Sequence, residues 1–163
     1  MSNNTFAIVT DSTADLPASF YRDHDVHVVP LHVVTPDREY TDGVDLTADE
    51  YLDILDRGGD LPRTSQPSPA DFITMYEGLK AQGYAEILSI HISSTLSGTC
   101  SAAMQIASAF DERGCHVEVF DSRITTAGLA VMVAEAVLAR DRGLSLVDTV
   151  ARLDAVRKTS EIH

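Results

Sequence analysis

Along the chain, short runs dominated by β-branched and other apolar residues alternate with stretches whose apolar residues recur at every third or fourth position. The segments FAIVT (6–10), VHVVPLHVV (26–34), EILSIHI (86–92) and HVEVF (116–120) read as strands. Helix boundaries mark the stretches between them. Asp15 stands ahead of Pro17, Thr47 opens the capping-box pattern TADE, Ser68 precedes Pro69 with Asp71 three residues on, and Ser145 opens SLVD. Gly58, Gly83, Gly114 and Gly143 each follow a helical pattern, where a left-handed cap favours a residue without Cβ. Strands and helices in alternation predict an α/β fold, a layered Rossmann-like domain with a central, mainly parallel sheet.

Two segments near the end extend the pattern. GLAVMVAEAVLA (128–139) is apolar almost all the way round, which predicts a helix buried on both faces between the sheet and neighbouring helices, or one lining an apolar ligand cavity. SLVDTVARLDAVRKTSEIH (145–163) places Leu146, Val150 and Leu153 on one helical stripe that needs a surface to cover it, and the sequence ends a few residues later. No repeat, low-complexity tract or linker interrupts the 163 residues, so one domain with its own core is expected.

Charge narrows the choice of partner. Twelve Lys and Arg against 25 Asp and Glu give a formal net charge of −13, a field that repels phosphate backbones and anionic headgroups and argues against a nucleic-acid partner. Cys100 and Cys115 show neither C-x-x-C spacing nor a His/Cys cluster, so they read as reduced core thiols, with no disulfide framework and no metal site. The start, MSNNTFAIVTD, lacks a basic and a long apolar region, and Ile124–Ala134 is too short to span a bilayer; no transmembrane segment and a cytoplasmic protein are expected.

Candidate chemistry concentrates at strand ends, where open α/β sheets bind their ligands. After the strand ending near Ile92 come Ser93, Ser94, Thr95, Leu96, Ser97, Gly98 and Thr99, and then a helix with Ala102, Ala103, Ile106, Ala107 and Phe110 on its inner side. The first N–H groups of that helix receive a carboxylate or phosphate well. Capping accounts for one or two of these hydroxyls, not for five. A second hydroxyl-rich segment, RTSQPSPADF (63–72), leads into the next helix; Ser68 is its cap, which leaves Thr64 and Ser65 without that duty. Asp11 and Asp121 begin D-S steps at strand ends and read as turn residues. The G-x-S-x-G elbow of a serine hydrolase is absent, since Thr95 stands two before Ser97; so are the Gly-rich phosphate loops, and the histidines show no metal-ligand spacing. On the residues alone, a serine hydrolase using Ser94 or Ser97 and a binding module for a small phosphorylated metabolite are both readings of this junction.

Taken together, VTDSTADLP, VVPL, RTSQPSPADF, GYAEILSIHISSTLSGTCSAA and VEVFDSRITTAG resemble, in order and over nearly the whole chain, the DegV family, whose members include the fatty-acid-binding subunits of bacterial fatty acid kinase. The resemblance implies a lipid-binding protein that is not itself an enzyme and needs no cofactor. It would bury a long-chain fatty acid, hold the carboxylate on hydroxyls of the two loops, and present it to a separate fatty acid kinase. By motif position the hydroxyls are those of Thr64 and Ser94, with Ser65, Ser93 and Ser97 as neighbours. The resemblance further implies that residues 1–163 form the family's N-terminal domain. A C-terminal domain that completes the ligand tunnel and adds a basic residue and a histidine near the carboxylate would be missing.

Overall fold

A computed structural model describes residues 5–160; the reading of the first four residues and of the end at His163 lies outside them. Four parallel strands form the central sheet in the order β2-β1-β6-β7: β1 (Ala7–Asp11), β2 (Val26–Val29), β6 (Glu86–His91) and β7 (His116–Asp121). The register pairs Ile8 with Val26 and Leu88, and Ile87 with Val117. Alternation along the strands sends Ile8, Leu88, Ile90 and Phe120 to one face and Ala7, Val9, Ile87 and Val117 to the other. The first face is covered by α5 (Thr126–Asp141) and the second by α3 (Pro69–Ala81) and α4 (Thr99–Asp111). The expected α/β architecture is present.

The segment 26–34 is not one strand. Pro30, which has no N–H to give a ladder, breaks it after β2. The Leu31 N–H turns to Ser12 Oγ at 3.0 Å, and the Leu31 carbonyl accepts the Asp42 N–H. The chain then enters a second, antiparallel sheet of order β4-β3-β5, made of β3 (His32–Val34), β4 (Glu39–Thr41) and β5 (Arg63–Ser65). Thr64 and Ser65, read from sequence as loop, therefore lie on a short strand opposite Val33 and His32. Two more helices, α1 (Ala18–Asp23) and α2 (Ala48–Asp56), flank this region.

Helix starts follow the sequence where an oxygen can reach an orphan N–H. Thr47 and Ser68 close full capping boxes with Glu50 and Asp71, and Ser145 Oγ accepts the Asp148 N–H at 3.1 Å ahead of α6 (Leu146–Ser160). Asp15 does not cap α1; it closes a single 3-10 turn in the left-handed region, φ 49°, and Pro17 takes the cap position. The stripe of α6 is covered by α5: Leu146 and Leu153 are buried with Leu129, Met132 and Val133. Burial of α5 is incomplete, since Val131 and Leu138 remain about half exposed on the side away from these neighbours. Among the described residues no helix is long and apolar enough to cross a membrane.

Candidate functional site

At the carboxyl ends of β1 and β6 lies a cavity of about 450 Å³, bounded by Thr13 from the turn after β1, by Leu31, by Thr64, Ser65 and Gln66, and by Ile92, Leu96, Ser97 and Gly98. The two hydroxyl-rich segments singled out in the sequence thus meet at one place. Their contact is between Gly98 and Gln66: a Cβ on Gly98 would sit 1.9 Å from Gln66 Oε1, so only glycine admits the Gln66 side chain there.

The hydroxyls differ in how much bonding capacity they keep. Thr64 and Ser65 are exposed, and their side-chain oxygens have no hydrogen-bond partner among the described residues. Ser97 is on the wall but engaged: its Oγ lies 2.8 Å from Thr99 Oγ1 and accepts the Thr99 N–H at 3.2 Å, a local bond at the start of α4, whose cap position belongs to Gly98. Ser93 is buried; its Oγ lies 2.8 Å from Thr95 Oγ1 and accepts the Thr95 N–H. Ser94 is exposed and turned to the neighbouring strand, donating its hydroxyl to Asp121 Oδ2 at 2.5 Å and its N–H to Asp121 Oδ1 at 3.2 Å. Thr64, Ser65 and Ser97 border the cavity, whereas Ser93 and Ser94 stand at the same strand end outside its lining.

No charged side chain lines the cavity, which depends on hydroxyls, the Gln66 amide and the N-terminus of the 13-residue α4 for its polarity. Charge lies just behind the wall. Asp11, fully buried at the end of β1, accepts Thr13 N–H (3.0 Å) and Thr13 Oγ1–H (2.5 Å) on Oδ1, and Ile92 N–H (2.9 Å) on Oδ2. His91 Nδ1 lies 3.0 Å from the same Oδ2. Burial pushes the Asp11 carboxyl up, but His91, by hydrogen bond and charge, and the Thr13 and Ile92 donors outweigh it, leaving the group below its usual range. At Asp121 burial also acts upward and is outweighed by the Ser94 hydroxyl, the Arg123 and Ser94 N–H groups and the Arg123 charge.

Both aspartates do make the turn bonds expected of them, Asp11 to Thr13 and Asp121 to the Arg123 N–H. Their long-range partners, His91 and Ser94, lie far from them in sequence. One signal existed: SIH in β6 puts Ser89 and His91 on one face, and extending the register Thr10↔Ile90 by one step puts Asp11 beside His91. The imidazole is also unavailable to the hydrolase reading, since Nε2 lies 2.7 Å from buried Ser89 Oγ, and among the described residues no histidine bonds to Ser94 or Ser97. The two thiols are free and buried, as expected, and burial, aided by Asp121 and Asp11, lifts Cys100 to about 12.

Comparison with known proteins agrees with the architecture. A DegV domain-containing protein of Staphylococcus aureus (strain COL) is 36% identical over 155 residues, 95% of this chain and 54% of its own length. A DegV-family protein of Thermus thermophilus, whose structure is described as showing fatty acid binding, superimposes with a TM-score of 0.86 at 35% identity, covering 94% of this chain and 54% of that one. A stearic-acid-binding protein of Eubacterium ventriosum superimposes with a TM-score of 0.84 at 31% identity, covering 92% and 52%. The chain therefore spans about half the length of each of these three relatives. A family profile described as "Uncharacterised protein, DegV family" matches residues 5–163, and with the fold and the paired hydroxyl loops in agreement, the chain belongs to the DegV family.

Proposed function

We propose that this chain binds the carboxylate end of a long-chain fatty acid in the cavity between the two hydroxyl-rich loops. The observation that carries this is that Thr64 and Ser65, whose side-chain oxygens have no partner among the described residues, border the same cavity as Ser97 and Gly98 at the start of α4, with no charged lining. Fatty-acid binding in two structural neighbours above 30% identity supports it. Thr64 and Ser65 give the first hydrogen bonds, and Ser97 adds a third when its hydroxyl proton points into the cavity and Thr99 donates to it. Ser94 joins only if its single proton leaves Asp121, and Ser93 supports the turn from below. Hydroxyls and amide dipoles hold a carboxylate without the rigid fork of an arginine, which leaves an oxygen approachable. On this reading the protein is a bacterial, cytoplasmic carrier rather than an enzyme, and it hands the bound acid to a separate kinase. On the same reading residues 1–163 act as an N-terminal domain, with a second domain enclosing the tail. Burying about fifteen methylenes at about 0.8 kcal/mol each supplies at most about 12 kcal/mol, so the tail sets affinity and the hydroxyls set register.

Titration of the purified protein with stearic acid, stearyl alcohol and a sugar phosphate tests the reading. Binding of the acid in preference to the alcohol is expected; binding of the sugar phosphate with none of either lipid would refute it. Incubation with a fluorophosphonate probe separates the hydrolase alternative, because stoichiometric labelling of Ser94 or Ser97 would replace carrier by enzyme.

A further inference from the structure

We infer that Asp11 and His91 are positioning residues for the headgroup cavity, acting through a buried hydrogen-bonded chain that ties together the elements from which its walls spring; the inference rests on the fatty-acid reading of that cavity. The chain runs Asp11–His91–Ser89–Tyr76, and all four residues are fully buried. His91 Nε2 lies 2.7 Å from Ser89 Oγ, which lies 2.7 Å from Tyr76 Oη. One proton arrangement satisfies every member: the Tyr76 hydroxyl donates to Ser89, Ser89 to His91 Nε2, and His91 Nδ1–H to Asp11 Oδ2. The Phe72 ring meets His91 edge-on at 5.4 Å and fixes the imidazole from the side.

Each end of the chain reaches a different wall. Asp11 holds Thr13 by backbone and side chain and holds Ile92 by its N–H, and both residues border the cavity. Tyr76 belongs to α3, whose capping Ser68 stands two residues after Gln66, so the helix into which Thr64, Ser65 and Gln66 lead is bonded to the same chain. β1, β6 and α3 are thereby set against one another at the level of the site. A buried carboxylate bonded to an imidazole in this way is a poor source of stability, because an apolar pair of similar volume often does as well or better. What it supplies is a single arrangement, since a half-satisfied network in a dry interior is costly.

The test uses three variants of the protein: His91→Leu, which cuts the chain at both nitrogens; His91→Asn, whose amide can occupy the Nδ1 position and still donate to Asp11; and Tyr76→Phe, which removes only the far end. Two readouts are taken: the ratio of stearic acid to stearyl alcohol affinity, and apo-protein amide chemical shifts at Thr13, Thr64–Gln66 and Ile92–Gly98. For His91→Leu the acid-over-alcohol ratio should fall about tenfold, the equivalent of one hydrogen bond to a charged group, with shifts in both loops. His91→Asn should keep the ratio and the Thr13 and Ile92 shifts, while Tyr76→Phe should move the Thr64–Gln66 amides. A His91→Leu protein with wild-type ratio and unshifted loops overturns the inference, as does a His91→Asn protein as impaired as His91→Leu. If His91→Leu does not fold, Tyr76→Phe decides by the Thr64–Gln66 amides alone. If the wild-type protein binds neither lipid, the fatty-acid reading fails while the amide shifts still decide whether the chain positions the loops.

Discussion

Gly98 and Gln66 interlock: the glycine leaves open the space that the Gln66 amide occupies, and an added Cβ would lie 1.9 Å from Oε1. The backbone at Gly98, φ −74° and ψ 1°, is one that alanine adopts freely, so the substitution Gly98→Ala introduces no strain of its own. The cost falls on Gln66, an exposed side chain that can swing away, which separates the loops without unfolding anything. Gly98→Ala should therefore lower stearic acid affinity while the melting temperature stays nearly constant. Gln66→Ala on top of it should recover much of the loss, a coupling that a double-mutant cycle measures. Additive losses would show that the two residues do not act together.

Acid should weaken the protein through groups around the site. Asp11 lies below its ordinary 3.8 because His91, Thr13 and Ile92 outweigh its burial, and Asp71 and Asp121 lie below theirs through His32 and Ser68, and through Ser94 and Arg123. A depressed carboxyl stabilises fully above its unfolded value and loses that stabilisation as pH falls through the folded one. Stability in urea should thus fall below about pH 4. Asp11→Asn should lower the plateau at neutral pH and flatten the acid limb; an unchanged limb would show that Asp11 is not ionised in the fold.

Much of this was legible in the sequence, and the gaps have physical causes. Strand positions, the capping boxes at Thr47 and Ser68 and the α4 inner face follow from local periodicity and local hydrogen bonds. The split at Pro30 was written in the residue but overridden by the apolar pattern on both sides. β5 was hidden because Arg63–Ser65 is exposed and polar, and only pairing with β3 makes it a strand. At the site, the joint role of the two loops came from the family resemblance, since nothing local to RTSQPSPADF says which strand end it meets. That Ser94 would spend its proton on Asp121 was not legible, because the partner comes from 27 residues away.

Cys100 offers a check on core integrity. Burial raises its thiol from 9.0 to about 12, so the neutral form is favoured in the fold; that contribution is present below about pH 9 and is lost as pH rises toward 12. A thiol-specific disulfide reagent at pH 8 should leave both buried cysteines unlabelled in the native protein and label them at the rate of unfolding in urea. Rapid native labelling would mean that the α4 face of the core opens locally.

Thr64, Ser94 and Ser97 should separate by what their hydroxyls already do. Thr64 Oγ1 has no partner among the described residues, so Thr64→Val leaves the fold as it was and removes a donor from the ligand, at a cost of about 1.5–3 kcal/mol in stearic acid affinity. Ser97 Oγ accepts the Thr99 N–H at the start of α4; Ser97→Ala should lower stability by about 0.5–1.5 kcal/mol, with a smaller effect on binding than Thr64→Val. Ser94 is held by Asp121, and the outcome of Ser94→Ala depends on whether the ligand displaces that bond. If it does, the variant loses acid affinity like Thr64→Val. If it does not, binding is unchanged and only the titration of Asp121 moves, upward, because the hydroxyl that donates to its carboxylate is gone. Thermal melts, lipid titration and carboxylate NMR read the three effects apart. Wild-type affinity in Thr64→Val together with Ser65→Ala would place the headgroup somewhere other than this cavity.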